Sequence, residues 1–184
     1  MSGPAFDDLT EFTETVTDMS KKAKYALCKA HGGPADCPPV MLWKGETDEG
    51  IEICALPMPS DEEEHLSAPA LFDGALKSGW VEFGKPTYVG FVSEAYMRVL
   101  SESDTKRFKR GDIQRAYKSG VNTNINEILS IVCFTPDGKS EMRVVVVKYN
   151  DDGLPEYETY DEKSPVNGAI MDVINNFVKF VNAE

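Results

Sequence analysis

The sequence predicts an α+β fold in which a mostly antiparallel sheet is packed by helices. Amphipathic helical patterns stand near both ends of the chain, and strand-like runs joined by turns occupy much of the region between them. Strands do not alternate with helices along the chain, as they would in a parallel sheet. Most strand-like runs are instead joined by turns, as in hairpins, and the two strands of a hairpin pair antiparallel.

The central hairpin covers residues 125–149. Two β-rich, mostly apolar runs, residues 125–135 and 140–149, flank the turn Pro136-Asp137-Gly138. Proline sets φ for the first turn position, aspartate can bond its own backbone, and glycine accepts the left-handed conformation. Both runs are apolar on both faces near their middles, so we expect them to be central strands covered on both sides.

The helices at the two ends of the chain are predicted by apolar stripes. In the first helix Asp7 or Asp8 is the cap, and Gly32-Gly33-Pro34 ends the helix. Its apolar stripe consists of Leu9, Phe12, Val16, Met19, Ala23, Ala26, Leu27 and Ala30. The last helix follows Ser164-Pro165, a favourable pair of cap and first helical residue. Its apolar stripe consists of Val166, Ile170, Val173, Ile174, Phe177, Val178 and Val181.

Further elements fill the rest of the chain. Strands are predicted over residues 40–43, 51–55, 87–98 and 155–160, the last as a short edge strand. A helix is predicted to begin after Ser60, where acidic residues suit the helix dipole, and to end at Gly79. The length of 184 residues fits a single domain, residues 1–184. Residues 101–124 carry many basic and few large apolar residues, which predicts a mobile basic loop.

The charge and the cysteines narrow the class of protein. The formal net charge is −12, so the average field repels a phosphate backbone, and we do not expect nucleic acid as a partner. The first residues lack a basic and an apolar region, so no secretory signal is expected, and no apolar run is long enough for a membrane span. Without a signal, reduced thiols in a cytoplasm are the default for the four cysteines.

Three charged residues within strand-like runs are the catalytic candidates. Glu94, Glu127 and Arg143 would meet across the sheet if their strands are neighbours. A paired and partly buried carboxylate is a candidate general base. The alternative is a purely structural ion pair. The sequence shows no Ser/His/Asp or Cys/His constellation and no glycine-rich phosphate loop.

A second set of candidates has the chemistry of a zinc site. Cys28, His31 and Cys37 lie close together at the end of the first helix, and Cys54 is a possible fourth ligand. Structural zinc sites usually contain paired Cys-x2-Cys units, which this chain lacks. The alternative is that Cys28 packs on the apolar stripe while His31 lies in the last helical turn. We therefore predict no bound metal and no cofactor.

The basic segment is the candidate binding surface. Its residues are Lys106, Arg107, Phe108, Lys109, Arg110, Arg115, Tyr117 and Lys118. Basic residues with interleaved aromatics can contact phosphates and stack on bases. On so acidic a chain the same patch could bind an acidic protein surface, including a second copy of this protein. The remaining interpretation is a solvated loop.

One stretch resembles a pattern found in short uncharacterised proteins of bacteria and their phages. It comprises a strand with Ser93, Glu94, Ala95 and an aromatic residue, a polar loop, and a hairpin entered through Glu127. The resemblance covers residues 88–149. Tyr96 stands where tryptophan is usual, and residues 124–126 depart from the usual Pro-Asp-Arg. No activity is implied, but the resemblance implies an accessory protein of phage or bacterial origin.

These observations favour a non-enzymatic interaction protein of phage or prokaryotic origin in the cytoplasm. We expect a protein partner and a homo-oligomer, because a convergent catalytic set is lacking and the final helix is strongly apolar. One alternative is a small metal-dependent hydrolase or nuclease that uses Glu94 and Glu127. Another is an acidic inhibitor that mimics nucleic acid and blocks a DNA-binding protein.

Overall fold

The structure is a computed structural model that describes residues 6, 8–46, 50–56, 68–97, 126–164 and 169–183. These residues form three helices and six strands, which confirms the predicted α+β class. The helices are α1 (Leu9–His31), α2 (Ala68–Phe83) and α3 (Ala169–Val181). The strands are β1 (Val40–Gly45), β2 (Glu52–Ala55), β3 (Pro86–Met97), β4 (Asn126–Phe134), β5 (Ser140–Tyr149) and β6 (Pro155–Ser164). The segment 101–124, predicted to be a mobile basic loop, lies outside the described residues.

The six strands form one antiparallel sheet in the order β2-β1-β3-β4-β5-β6. The predicted hairpin of β4 and β5 lies in the interior of this sheet, between β3 and β6, with Gly138 at a φ of 95° in the turn. In the pairing of β3 with β4, Glu94 lies opposite Leu129 and Tyr96 lies opposite Glu127. Because side chains alternate between the faces of a sheet, Glu94 and Glu127 are diagonal neighbours on one face.

Each face of the sheet is covered by helices. Helix α1 packs on one face through Leu9, Phe12 and Val16, which contact apolar residues of β1, β3, β4 and β5. Helices α2 and α3 pack together on the other face, where Phe72, Ile174 and Phe177 join the second core. The two-sided burial of the central strands explains their continuous apolar runs, as the sequence predicted.

The boundaries of α1 agree with the prediction, but half of its buried stripe does not. Asp8 accepts a hydrogen bond from the backbone N–H of Glu11 at 2.9 Å, and Gly32 ends the helix at a φ of 81°. The predicted stripe is buried at its start, whereas Ala23, Ala26, Leu27 and Ala30 are exposed. The buried positions of the second half are instead Lys24 and Cys28. The prediction followed small apolar residues where the helix in fact buries a cation.

Two predicted boundaries were wrong, namely the end of the second helix and the end of the last strand. Helix α2 continues through Gly79 and ends at Gly84, which has a φ of 76°. Gly79 is a packing position, because a Cβ there would lie 2.7 Å from the ring of Trp43. Strand β6 extends to Ser164 and is longer than the predicted edge strand. The predicted cap pair Ser164-Pro165 stays a prediction, because residues 165–168 lie outside the described residues. Among the described helices, none combines the length and the apolar character of a membrane span.

Candidate functional site

A buried lysine on α1 is the centre of the candidate site. The inner face of α1 runs from Val16 through Ser20 to Lys24 and Cys28, in steps of one helical turn. The hydroxyl of Ser20 donates to the backbone oxygen of Val16 at 2.7 Å, so this polar residue needs no partner from the sheet. One turn later the side chain of Lys24 has no exposed surface. A buried ammonium needs opposite charges or acceptors around it.

Three strands of the sheet bring groups towards this lysine. Glu94 comes from β3, Glu127 from the beginning of β4, and Tyr149 from the end of β5. Val147 lies opposite Glu127, so Tyr149, two residues further along β5, is a diagonal neighbour of Glu127 on the face covered by α1. The side chains of Glu94 and Glu127 are only 13% and 6% exposed. The antiparallel register thus concentrates two carboxylates and a phenol at one end of the sheet.

The ammonium of Lys24 has three oxygen acceptors. Its Nζ lies 2.6 Å from Oε1 of Glu94, 3.0 Å from Oε1 of Glu127 and 2.5 Å from the backbone oxygen of Ala35. The hydroxyl of Tyr149 donates to Oε1 of Glu127 at 2.8 Å, and the ammonium lies 5.7 Å from the Tyr149 ring centroid. The three protons of the ammonium are therefore matched by three acceptors.

The same cluster holds the connection between α1 and β1, residues 32–39. Lys24 donates to the backbone oxygen of Ala35, and Oε1 of Glu94 accepts the backbone N–H of Cys37 at 3.0 Å. The turn after β5 also touches this connection, because a Cβ on Gly153 would lie 2.9 Å from the Cα of Gly33. The charged groups therefore bond to the backbone of a segment that belongs to neither a helix nor the sheet.

The protonation states follow from burial and from these contacts. Burial alone would lower the pKa of Lys24, but its contacts with Glu94, Tyr149 and Glu127 outweigh burial and raise it above 10.5. Burial raises the pKa of Glu94, although Lys24 and the Cys37 amide act in the opposite direction. Lys24 is consequently an ammonium at neutral pH. It is a poor nucleophile in this state, since an amine attacks only when it is deprotonated.

A third carboxylate lies beside the pair. Ligand oxygens of Asp36, Glu94 and Glu127 lie within 4.8 Å of one another, with Asp36 exposed and Glu127 buried. Three carboxylates are the donor set that Mg²⁺, Ca²⁺ or Mn²⁺ prefers. The ammonium of Lys24, however, already bonds to both glutamates. The carboxylates therefore have an internal cation supplied by the chain itself.

Of the three catalytic candidates, the structure brings only Glu94 and Glu127 together. Arg143 lies four residues before Val147 on the same strand face, and one of its terminal nitrogens is 3.3 Å from Oε1 of Glu14. Arg143 therefore faces a different part of α1. The predicted pairing of these glutamates with Arg143 across the sheet was wrong, because both pair with Lys24 of the helix instead.

The zinc candidates do not converge. Cys28, His31 and Cys37 are all described, and they do not form a group with ligand atoms within 4.8 Å. Cys28 is buried, His31 is exposed, and burial and the charge of Glu94 raise the pKa of the Cys37 thiol to about 12. A thiol with so high a pKa stays protonated at neutral pH and is a weak metal ligand. All four cysteines are free.

Other candidates lie outside the site, and one central residue was missed. The basic residues Lys106, Arg107, Phe108, Lys109, Arg110, Arg115, Tyr117 and Lys118 all fall outside the described residues. Lys24 was not among the candidates, because the prediction traced only apolar residues. The sequence feature that could have identified Lys24 is its spacing, because it continues the series Val16–Ser20–Lys24–Cys28 at four-residue steps along one helix face.

Comparison with known proteins finds no matching family model, no matching curated protein and no matching solved structure. Inferences about function accordingly rest on the geometry of this chain.

Proposed function

We propose that this chain is a non-enzymatic accessory protein that acts by binding another protein. One observation carries the proposal: the carboxylates best placed for catalysis are engaged by Lys24, an internal and fully buried ammonium. Glu94 and Glu127 also accept hydrogen bonds from a backbone amide and a phenol. A general base needs access to the proton it removes, and these carboxylates are bonded to the protein's own donors.

The proposal includes a homo-oligomer in the cytoplasm of a prokaryote, or of a cell infected by a phage. Apolar side chains on the helices α2 and α3 support an oligomer, because Val81 is 86% exposed and Phe180 is 54% exposed. The ring of Phe180 contacts that of Trp80, with 5.5 Å between the centroids. Neighbouring apolar side chains at the surface, such as Phe180 and Trp80, are typical of surfaces that contact other proteins.

The second candidate function is a metal-dependent hydrolase or nuclease. The observation in its favour is the convergence of Asp36, Glu94 and Glu127. An acidic mimic of nucleic acid receives less support, because it would concentrate carboxylates on one face. Exposed carboxylates in this structure lie on opposite sides of the sheet, with Glu14 on α1 and Asp73 on α2.

Thermal unfolding with divalent cations separates the two main candidates. We expect Mg²⁺, Mn²⁺ and Ca²⁺ to leave Tm of the wild type within about 1 °C, as for a protein without a specific site. An ion present at 100 times its Kd would stabilise by about 2.7 kcal/mol, which corresponds to a rise of roughly 5–10 °C. A rise of Tm of this size would overturn the proposal in favour of the hydrolase if it is lost in Glu127→Gln and kept in the exposed control Glu158→Gln.

Native mass spectrometry tests the oligomer. We expect an integer multiple of the chain mass greater than one, without additional mass. The variant Val81→Asp should shift the protein towards the monomer, since it places a charge on the exposed apolar surface. A wild type that is monomeric at micromolar concentration would contradict the oligomer.

A further inference from the structure

The outward face of α1 carries an ordered series of charges, which we call the charged stripe. It consists of Glu11, Asp18, Lys22 and Lys29, which follow one another at steps of seven, four and seven residues and are all exposed. Steps of this size return to the same side of a helix with 3.6 residues per turn. The charged stripe therefore lies along one side of α1, opposite to the side that is buried against the sheet.

The sign of the charge changes at the middle of the charged stripe. Two carboxylates, Glu11 and Asp18, precede two lysines, Lys22 and Lys29, and the series is symmetric in spacing about position 20. A second α1 that runs antiparallel, with a two-fold axis beside position 20, therefore places every carboxylate opposite a lysine. Asp18 of one copy then faces Lys22 of the other, and Glu11 faces Lys29. The stripe is thus complementary to itself.

Interactions within a single helix do not account for this order. The helix dipole favours acidic residues at the start and basic residues at the end, but its effect falls off within one turn. Asp18 and Lys22 lie more than two turns from either end of α1. They are four residues apart, yet within the described part of the chain neither forms an ion pair. Asp73 and Lys77, at the same spacing on α2, do pair at 2.8 Å.

The charged stripe is also a surface that a second copy can approach without local repulsion. The whole chain has a formal net charge of −12, so two copies repel each other on average. The two carboxylates and two lysines of the stripe sum to zero. Tyr25 lies beside the stripe, nearly one turn after Lys22, and its side chain is 42% exposed. Tyrosine is enriched at protein interfaces, because its ring supplies apolar area and its hydroxyl forms hydrogen bonds.

We propose that two copies of this chain associate through the charged stripe, with their α1 helices antiparallel about a two-fold axis. The pairs of Asp18 with Lys22 and of Glu11 with Lys29 each occur twice in such a contact, because the two-fold axis repeats them. The inference rests on the proposed homo-oligomer and names one surface that forms it. Helices α2 and α3 cover the other face of the sheet, so the charged stripe is separate from their exposed apolar side chains.

The test compares two variants with reversed charges, Asp18→Lys and Lys22→Glu, alone and mixed. Each variant alone places like charges opposite each other twice, so we expect its Kd for self-association to rise by about tenfold or more. In a 1:1 mixture, a contact that joins the two variants is complementary again. We therefore expect the mixture to regain the wild-type oligomer with equal numbers of both variants. Native mass spectrometry over a dilution series measures this, with one variant labelled with ¹⁵N to identify mixed oligomers.

The control is Lys148→Glu on β5, which has the same change of charge as Lys22→Glu at a side chain that is 55% exposed. This control should leave the oligomer unchanged. Oligomers that persist in both α1 variants, or mixed oligomers of random composition, would overturn the inference. If Val81→Asp still dissociates the oligomer in that case, the proposed function stands and only the charged stripe is refuted. A monomeric wild type contradicts both.

Discussion

Replacement of Lys24 by methionine is the sharpest test of the buried cluster. Methionine fills a similar volume but leaves Glu94 and Glu127 without their cation. Removing one partner of a buried ion pair typically costs about 3–5 kcal/mol, because a charge is left buried and unpaired. In a domain of this size each kcal/mol lowers Tm by about 2–4 °C, so we expect a fall of roughly 6–20 °C.

The pH dependence identifies the cause of this loss. The pKa of Lys24 in the folded protein is raised, so its contribution is complete below 10.5 and is lost only as pH rises through the folded pKa. Between pH 4 and pH 9 any change must therefore come from the carboxylates. Burial raises the pKa of Glu94 even beside the ammonium. Without the ammonium Glu94 should bind a proton more readily, so the cost of Lys24→Met should shrink as pH falls towards 4.5.

Urea unfolding, followed by circular dichroism over this pH range, measures both effects. The control is Lys77→Met, which removes a 2.8 Å ion pair with Asp73 from the surface of α2, where the lysine is 72% exposed. Surface pairs of this kind contribute less than about 0.5 kcal/mol. A loss for Lys24→Met below about 1 kcal/mol, or one that does not vary with pH, would refute the reasoning.

Two further comparisons test the packing around the sheet by equilibrium unfolding. Tyr149→Phe removes a hydrogen bond to a buried carboxylate and should lower the free energy of unfolding by about 1.5–3 kcal/mol. Tyr157→Phe removes a hydrogen bond to a backbone oxygen and should lower it by about 0.5–1.5 kcal/mol. Equal losses for the two variants would contradict the charge-assisted bond of Tyr149. Gly79→Ala should destabilise by about 1–3 kcal/mol, because its Cβ would lie 2.7 Å from the ring of Trp43. Gly74→Ala in the same helix meets nothing within 4 Å and should stabilise by roughly 0.5–1 kcal/mol, so a gain at both positions would refute the packing role of Gly79.

The sequence was sufficient for the antiparallel class of the sheet and for most element boundaries, but not for the order of the strands. Turn chemistry at Pro136-Asp137-Gly138 and helix ends at Asp8 and Gly32 depend on local conformational preferences, which a single sequence contains. Gly79 shows where this reasoning fails. A glycine that ends a helix and a glycine that lets a helix approach an aromatic ring look alike until the neighbouring strand is placed.

The site was predictable in part for the same reason. Glu94 and Glu127 were identified because charged residues within apolar strands are unusual and are rarely buried without a partner. Their cation was assigned to Arg143, since a partner on the next strand is the nearest one that a sheet pattern suggests. Lys24 could not be assigned, because the rotation of α1 over the sheet depends on tertiary packing, and the apolar residues of its second half indicated a different face.

The energetics of the cluster indicate what it contributes to the fold. A buried ion pair is often no more stabilising than apolar residues of the same volume, so stability alone does not account for Lys24. An apolar substitute, however, could not accept the N–H of Cys37 or donate to the oxygen of Ala35. Backbone groups in a partly buried connection must find partners. We therefore assign the cluster a structural task, which is to fix residues 32–39 against the sheet by satisfying their backbone groups.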